Sequence, residues 1–193
     1  MTPDAAADAE LTSGERQQRG RWRLTAGALA LGGLVLLIDQ GTKAWAEATL
    51  TVSERLPLIG DLLGLQLAYN PGAAFSFGEG STWVFALVAV AATVTAIVFA
   101  FRVRHPGWAI VIGALGGAAA SHAGDRLFRA PGFAQGHVVD FLAYGNWFIG
   151  NLADVALGIG FVILGCGLWI RKRMNVQEAT DETRDESSGV RGS

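Results

Sequence analysis

Four aspartates lie within or beside strongly apolar stretches of the chain: Asp39, Asp125, Asp140 and Asp154. Ionisable side chains at membrane depth are costly and are usually functional. When two carboxylates lie a few ångströms apart, one pKa rises and the pair shares a single proton. The ionised member can then take a proton from water, while the protonated member donates one to a carbonyl or a leaving amine. That is the chemistry of aspartic peptidases.

Each aspartate also has a structural interpretation. Asp39 is one helical turn before Lys43 and can form an ion pair with it. Asp125 can form an anchor at a membrane interface with the arginine that follows it, and Asp140 can be solvated in a loop. Asp154 is harder to explain in this way, because the residues on both sides of it are apolar. A shared position for all four in the fold would favour the catalytic interpretation.

Other chemistries lack their motifs. His105, His122 and His137 do not have the HExxH spacing of a zinc peptidase, and the sequence contains no phosphate-binding loop. The single cysteine, Cys166, excludes an internal disulfide bond and a cysteine-based metal cluster. We therefore expect neither a metal nor an organic cofactor. The formal net charge of −2 argues against a nucleic-acid partner.

The elements that must position these groups are predicted to be membrane helices. Of the 193 residues, 51% are hydrophobic and only 17% are charged, whereas about 25% are charged in a typical soluble domain. Long runs with few or no charged residues predict helices that cross a bilayer. The four predicted spans are 24–38, 83–101, 108–123 and 147–170.

Basic residues predict the orientation of these spans. They cluster at 16–23, 102–105 and 171–173, which lie on one side of the membrane if the chain crosses it four times. The positive-inside rule makes this side cytoplasmic, so both termini are predicted to be inside. Loops 40–82 and 124–146 then face outside, and all four aspartates lie near the outer interface.

The expected fold class is an all-α polytopic membrane protein with four transmembrane helices. Residues 21–173 form the membrane domain in this prediction, and the polar segments 1–20 and 174–193 form disordered cytoplasmic tails. Residues 44–80, in the first outer loop, contain short and partly alternating apolar segments. These predict a small β-sheet on the outer membrane surface.

Five short segments, in order, resemble motifs of the bacterial lipoprotein signal peptidases (signal peptidase II). They read DQGTK at 39–43, YNPGAAFS at 69–76, GDR at 124–126, HVVDF at 137–141 and NLAD at 151–154. The resemblance extends over about residues 24–170. Each segment is weak alone, but all of them in this order, on a chain with four predicted spans, form a specific pattern.

The resemblance implies a membrane aspartic endopeptidase that removes the signal peptide from prolipoproteins, cutting before a cysteine that carries a diacylglyceryl group. It implies that Asp140 and Asp154 are the catalytic pair and that the first outer loop forms an extracytoplasmic β-cradle. It also implies a set of residues that hold this pair or contact the substrate: Asp39, Lys43, Asn70, Gly72, Ala74, Phe75, His122, Asp125, Arg126 and Asn151.

The resemblance further implies the surroundings of the protein. Its partners would be diacylglyceryl-modified prolipoproteins and membrane lipid. It would lie in the bacterial inner (cytoplasmic) membrane, with the active site at the outer face. Members of the family are expected to work as monomers.

The chain departs from the family pattern at a few positions. His122 stands where the pattern has Asn, Gly150 where it has Phe, and Val155 where it often has Ser or Thr. Asp140 and Asp154 are only 14 positions apart, which predicts a short loop between them. Two alternatives stay open: a non-catalytic paralogue that binds lipoprotein precursors, and a small ion-coupled transporter. The inner halves of the predicted spans lack ionisable groups for a relay, which disfavours the transporter.

Overall fold

The computed structural model describes residues 13–52, 54–72 and 82–190, with side chains from 14 to 177. Most of this part of the chain is helical, and it contains one small antiparallel sheet. The helices are α1 (Ser13–Thr49), α2 (Thr82–Ala100), α3 (Pro106–Phe128) and α4 (Leu152–Val190), and the strands are β1 (Leu56–Ile59), β2 (Leu63–Asn70), β3 (Val138–Tyr144) and β4 (Phe148–Gly150). The prediction of a mainly helical chain with a small sheet is confirmed.

Three of the described helices, α1, α2 and α4, contain segments long and apolar enough to cross a membrane. The remaining predicted span coincides with α3, whose apolar stretch consists largely of glycine and alanine. These residues present less apolar surface than leucine or valine. Helix α3 packs against each of the other three helices. A helix enclosed by neighbours needs small residues for close contact more than it needs a strongly apolar surface.

Glycines allow α1 and α3 to approach each other at the backbone. Gly32 on α1 lies against Gly113 and Gly117 on α3. A Cβ atom added at Gly113 would lie only 2.6 Å from the carbonyl oxygen of Ala28 and 3.2 Å from the Cβ atom of Leu31. This close contact fixes α1, which carries Asp39, relative to α3, which carries Asp125.

Several element boundaries differ from the predicted ones. Helix α1 begins inside the predicted tail 1–20 and continues into the loop predicted at 44–80. Helix α4 begins later than the span predicted at 147–170, because Phe148–Gly150 pairs with the end of β3 instead. It then continues through 174–190, which was predicted to be disordered. Residues 168–188 contain neither proline nor glycine, so no residue in that stretch interrupts a helix that has already formed.

The sheet combines strands from both predicted outer loops. Its order is β1-β2-β3-β4, with all neighbouring strands antiparallel. Gly60 lies in the turn between β1 and β2 with a φ of 48°, a conformation that glycine adopts without strain. In the pairing of β2 with β3, Ala68 lies opposite Asp140 and Asn70 lies opposite Val138.

The sheet is attached to one end of α1 by an apolar cluster. Ala46 on α1 packs with Leu67, Val139 and Phe141, all of which are buried. The indole of Trp45 meets the ring of Phe141 edge to face, with 6.4 Å between the ring centroids. This cluster places β3, and with it Asp140, beside the end of α1 that carries Asp39 and Lys43.

Candidate active site

Asp140 lies in the middle of the sheet with an amide donor on each side. It is 3% exposed. Its Oδ1 accepts a hydrogen bond from Nδ2 of Asn151 at 2.6 Å, and its Oδ2 accepts one from Nδ2 of Asn70 at 3.1 Å. Asn70 ends the paired strand β2, so the register of the sheet brings it to Asp140. The interpretation of Asp140 as a solvated loop residue is therefore wrong.

Asp154 lies in the first turn of α4, where it forms a reciprocal cap with Asn151. Its Oδ2 accepts the backbone N–H of Asn151 at 2.9 Å, and Oδ1 of Asn151 accepts the backbone N–H of Asp154 at 3.1 Å. This is the geometry of a capping box, which satisfies N–H groups that the start of a helix leaves free. The other carboxylate oxygen, Oδ1, lies 3.2 Å from Nε2 of His122.

Asn151 therefore contacts both carboxylates, and the two side chains differ in their exposure. The side chain of Asp154 is 40% exposed, whereas Asp140 is buried. Burial, together with the negative charge of Asp154, raises the pKa of Asp140 to about 6. Asp140 is thus the member of the pair that holds a proton more readily, because its ionised form is poorly solvated and faces another negative charge.

A buried ion cluster lies beneath the pair. The ammonium group of Lys43 is 2.6 Å from Oδ2 of Asp39 and 2.6 Å from Oδ2 of Asp125, and none of these three side chains is exposed by more than 1%. Asp39 also accepts a hydrogen bond from the hydroxyl of Ser121 at 2.5 Å and one from the backbone N–H of Ala153 at 2.8 Å. The cluster therefore holds the first turn of α4, next to Asp154, against α1 and α3.

Polar residues continue this cluster toward the protein surface. Oδ1 of Asp125 accepts a hydrogen bond from Nε2 of Gln40 at 2.9 Å and another from Nε of Arg129 at 2.7 Å. Arg129 also pairs with Glu47 at 2.6 Å. A buried charge is tolerated when its hydrogen-bonding capacity is satisfied, and Asp125 meets this condition with three different donors.

Arg126 holds the chain at the end of β2. Its Nη1 donates to the carbonyl oxygens of Asn70 at 3.1 Å and Pro71 at 2.8 Å, and its Nη2 donates to that of Gly72. Its guanidinium carbon lies 5.6 Å from the ring centroid of Phe85 on α2, within the range of a cation–π contact. Arg126 therefore fixes the segment that presents Asn70 to Asp140.

The two carboxylates lie at the polar end of a cleft of about 520 Å³. Its polar lining consists of Asn70, His122, Arg126, Asp140 and Asp154. Its apolar lining comes mainly from α2, α3 and α4 and includes Phe85, Val88, Ala92, Ala119, Leu157 and Phe161. The arrangement suits a substrate that has a polar bond to be cut next to an apolar segment.

The structure brings together the predicted site residues that it describes. Asn70, Gly72, His122, Arg126, Asp140 and Asp154 line the cleft, Asn151 bridges the two carboxylates, and Asp39, Lys43 and Asp125 form the buried cluster. The predicted Asp39–Lys43 ion pair is present, and Lys43 forms a second ion pair of the same length with Asp125. Ala74 and Phe75 lie outside the described residues. Among the residues described, no group of three or more His, Cys, Asp or Glu side chains is arranged to hold a metal ion.

Ser121, Gln40, Arg129 and Phe85 contribute to this network and were not predicted as site residues. The sequence could have predicted Ser121 and Arg129, since each is four positions from Asp125 and so lies on the same face of a helix. Gln40 lies inside the DQGTK segment, but nothing in the sequence indicated which group its amide contacts. The contact of Phe85 with a cation depends on the packing of α2 against α3, which has no local signal.

Comparison with known proteins identifies relatives over most of the chain. The profile of the family described as signal peptidase (SPase) II matches residues 31–170. A lipoprotein signal peptidase of Leifsonia xyli subsp. xyli is 41% identical over 181 residues, which cover 88% of this chain and 79% of that protein. One of Rhodococcus jostii is 42% identical over 134 residues, which cover 69% of this chain and 68% of the relative.

Solved structures share the fold. A bacterial membrane enzyme superposes with a TM-score of 0.65 at 24% identity, covering 74% of this chain and 87% of the other. A second structure of a bacterial membrane enzyme has a TM-score of 0.63 at 22% identity, covering 73% and 91% respectively. Together with the sequence matches, which extend over most of the chain, these findings show that the chain belongs to the signal peptidase II family of aspartic peptidases.

Proposed function

We propose that this chain removes signal peptides from prolipoproteins and that Asp140 and Asp154 are its catalytic pair. The cut would fall before a cysteine modified with diacylglycerol. The observation that carries the assignment is the meeting of two carboxylates, from β3 and from the first turn of α4, at the polar end of an apolar cleft. Asn151 donates a hydrogen bond to each of them, which holds them in a fixed relation.

The different surroundings of the two carboxylates suggest different roles. Asp154 is partly exposed to the cleft and accepts two N–H groups, so it serves as the ionised base that activates water. Asp140 is buried and has a raised pKa, so it holds the proton. Asn151 and Asn70 use their oxygens to accept backbone N–H groups, at Asp154 and Gly72 respectively. The side-chain amides of both asparagines therefore turn their N–H groups toward Asp140. Because neither amide offers Asp140 an acceptor, the proton that Asp140 carries must point into the cleft.

The reaction then follows the chemistry of a carboxylate pair. Asp154 takes a proton from a water molecule while the water oxygen forms a bond to the carbonyl carbon of the substrate. Asp140 gives its proton to the carbonyl oxygen, which produces a neutral tetrahedral intermediate. The carbon–nitrogen bond then breaks, the leaving amine receives the proton held by Asp154, and Asp140 recovers a proton from the intermediate. One water is consumed and the pair returns to its initial state.

The other predicted site residues have supporting roles in this proposal. Asn70 and Gly72, fixed by Arg126, lie where the backbone of the substrate would pass the carboxylates. The apolar lining from α2 and α4 would accommodate the apolar part of the signal peptide. Asp39, Lys43 and Asp125 would act indirectly, by holding the start of α4. Ala74 and Phe75 stay predicted substrate contacts.

We further propose that the chain crosses a bacterial inner membrane four times, with both termini cytoplasmic and the cleft at the outer face. The packing of α3 among the other helices supports a fourth crossing. Arg102, Arg104 and His105 lie in and next to the connection between α2 and α3, at the end of these helices that is remote from the sheet. The positive-inside rule makes that end cytoplasmic. A monomer in contact with membrane lipid is part of this proposal.

The test is cleavage of a diacylated precursor by the purified protein, followed as a shift in gel mobility. We expect Asp140→Asn and Asp154→Asn each to lose on the order of 10² to 10⁴ in rate, since each removes a proton-transfer group. Asp61→Asn, at an exposed aspartate in the turn between β1 and β2, is the matched control and should cleave normally. Full activity in either pair variant would refute the assignment. Binding of the precursor without turnover by the wild-type protein would favour the non-catalytic alternative.

A further inference from the structure

A polar pocket of about 340 Å³ lies at the end of the helices that is remote from the sheet. One wall is formed by the first turns of α1, and the other by the connection between α2 and α3. This pocket shares no lining residue with the cleft that contains the carboxylate pair. Its lining includes two basic, two amide and two aromatic side chains: Arg21, Arg104, Gln17, Gln18, Trp22 and Phe101.

The two walls of the pocket are held together by specific contacts at its base. The hydroxyl of Thr25, which is 4% exposed, donates a hydrogen bond to the carbonyl oxygen of Ala100 at 2.8 Å. Ala28 packs with Ala100 in a buried apolar cluster. The rings of Trp22 and Phe101 meet edge to face, with 6.3 Å between their centroids. The packing of α1 against the end of α2 therefore sets the shape of the pocket.

The charge in this pocket is positive and has no counter-charge. Its charged lining residues are Arg21 from α1 and Arg104 from the connection between α2 and α3. Within the described residues, neither guanidinium group forms an ion pair or a hydrogen bond. A guanidinium presents its N–H donors in a planar fork that matches the oxygens of a phosphate group. Since two like charges around one cavity repel each other, an anion placed between them would be attracted by both.

The depth of the pocket corresponds to the headgroup layer of a bilayer. The apolar run of α1 begins at Leu24, and Arg21 lies one helical turn before Thr25, a rise of about 6 Å. The headgroup layer of each leaflet is about 5–7 Å thick. Trp22, which is 58% exposed, has the amphipathic ring that is enriched in this layer. A phospholipid beside α1 could therefore bring its phosphate group to the level of the guanidinium groups.

We propose that this basic pocket binds the phosphate-bearing headgroup of an acidic phospholipid. The phosphodiester oxygens would accept hydrogen bonds from Arg21 and Arg104, and the amides of Gln17 and Gln18 would contact polar groups of the headgroup. Binding sites for small ligands usually measure about 300–1,000 Å³, so the pocket is large enough for one headgroup. A bound headgroup would join the start of α1 to the connection between α2 and α3, and would therefore stabilise the packing of these helices.

The test is a titration of the purified full-length protein, in a neutral detergent, with dioleoyl phosphatidylglycerol, in which native mass spectrometry counts the bound lipids. We expect one lipid to bind to the wild-type protein before any others. The double variant Arg21→Gln/Arg104→Gln should bind it at least about tenfold more weakly, because charge-assisted hydrogen bonds to the phosphate are lost. Arg23→Gln/Arg102→Gln is the matched control, since it removes the same charge from the same two elements at residues that do not line the pocket. This control should bind the lipid as the wild-type protein does.

Three results would overturn the proposal. Equal weakening in the two double variants would show that only the general surface charge attracts the lipid. Equally tight binding of dioleoyl phosphatidylcholine would show that the pocket does not select an acidic headgroup. Displacement of the lipid by inorganic phosphate at the same concentration would show that the ligand is a free anion. The single variants Arg21→Gln and Arg104→Gln supply the same comparison if the double variant does not fold. Both double variants should cleave the precursor normally without added lipid, so this test is independent of the proposed function.

Discussion

Asn151 shows how much one residue can organise at this site. Its amide nitrogen binds Asp140, its backbone nitrogen binds Asp154, and its amide oxygen caps the start of α4. The two carboxylates come from separate elements, so a shared neighbour fixes their separation more rigidly than independent partners would. Its complete burial removes water as a competitor for these bonds.

Substitution of Asn151 by alanine should therefore affect both activity and stability. We expect the cleavage rate to fall about tenfold to a hundredfold, because a hydrogen bond to the buried pair is lost. The lost cap should also reduce the free energy of unfolding by about 1 kcal/mol. The gel-shift assay and thermal unfolding in detergent measure the two effects. Asn175→Ala, on the exposed surface of α4, should change neither. A normal rate in the Asn151 variant would contradict its bridging role.

The proton on Asp140 predicts an alkaline limit to activity. Burial and the charge of Asp154 raise the pKa of Asp140 to about 6, and the proposed mechanism needs Asp140 protonated. The active form of the enzyme therefore exists below this pKa and is lost as the pH rises through it. We expect the alkaline limb of kcat/KM, which reports the free enzyme, near pH 6. The alkaline limb of the kcat profile should lie at higher pH, because bound substrate excludes water from the pair and so disfavours the ionised form of Asp140. A kcat/KM that keeps rising above pH 8 would contradict the proposed role of Asp140.

Lys43 is the residue whose loss should be most damaging to stability. Its ammonium group forms ion pairs with both Asp39 and Asp125, and all three side chains are buried. Lys43→Met preserves the length of the side chain but leaves Asp39 without a cation and Asp125 with Arg129 alone, which should cost about 3–5 kcal/mol. Lys172→Met, at an exposed lysine on α4, is the control. Equal midpoints of thermal unfolding for the two variants would show that the buried cluster is not structurally important.

At the scale of the elements, the site depends on contacts at the ends of helices and strands. The N-terminal turn of α4 is held by Asp39 from α1, through the backbone N–H of Ala153. Asp39 can reach that turn because glycines let α1 and α3 approach closely. The sheet then brings Asp140 to the same place through the buried cluster around Ala46. Close packing between α1 and α3 should therefore influence the site from a distance.

Gly113→Ala tests this dependence. The added Cβ would lie 2.6 Å from the carbonyl oxygen of Ala28, so the helices must separate, at a cost of about 1–3 kcal/mol. Gly33→Ala is the matched control, because a Cβ there meets no atom within 4 Å. It should be neutral or stabilising by up to about 1 kcal/mol, since alanine favours a helix more than glycine does. The midpoint of thermal unfolding should fall in Gly113→Ala and should not fall in Gly33→Ala, and an unchanged midpoint in Gly113→Ala would exclude the close contact.

At the scale of the whole molecule, the proposal separates a catalytic face from a basic face. The sheet and the carboxylate pair lie at one end of the helices, and the connection between α2 and α3 lies at the other. This polarity matches a substrate whose bond to be cut lies at the membrane surface while its apolar segment lies in the bilayer. In the part of the chain that the structure describes, the cleft away from the pair is lined mainly by apolar side chains of α2, α3 and α4, whereas a transporter would need polar groups there.

Labelling of single cysteines tests this topology. In a Cys166→Ser background, Asp61→Cys lies in the exposed turn between β1 and β2, and Arg104→Cys lies in the exposed connection between α2 and α3. We expect a membrane-impermeant maleimide to label the first in intact spheroplasts and the second only after lysis. If only Arg104→Cys is labelled in intact spheroplasts, the orientation in the membrane is the reverse of the proposed one.

The sequence by itself determined the features that arise from local pattern. Apolar runs identified the helices α1, α2 and α4 that can cross a membrane, and ordered motifs identified the family. The resemblance predicted Asp140 and Asp154 as the catalytic pair, which stays a prediction, and the spacing predicted the ion pair between Asp39 and Lys43, which are one helical turn apart. Each of these depends on residues that are close in sequence or on the order of short segments, so a linear reading contains the necessary information.

Only the tertiary structure decided the partners across elements. Lys43 binds Asp125, 82 positions away, and Asp39 binds the backbone of Ala153, 114 positions away. The contact of His122 with Asp154 likewise depends on the packing of α3 against α4. The physical reason is that hydrogen bonds between distant residues follow from the register of the sheet and the close approach of the helices. Neither of these leaves a local pattern in the chain.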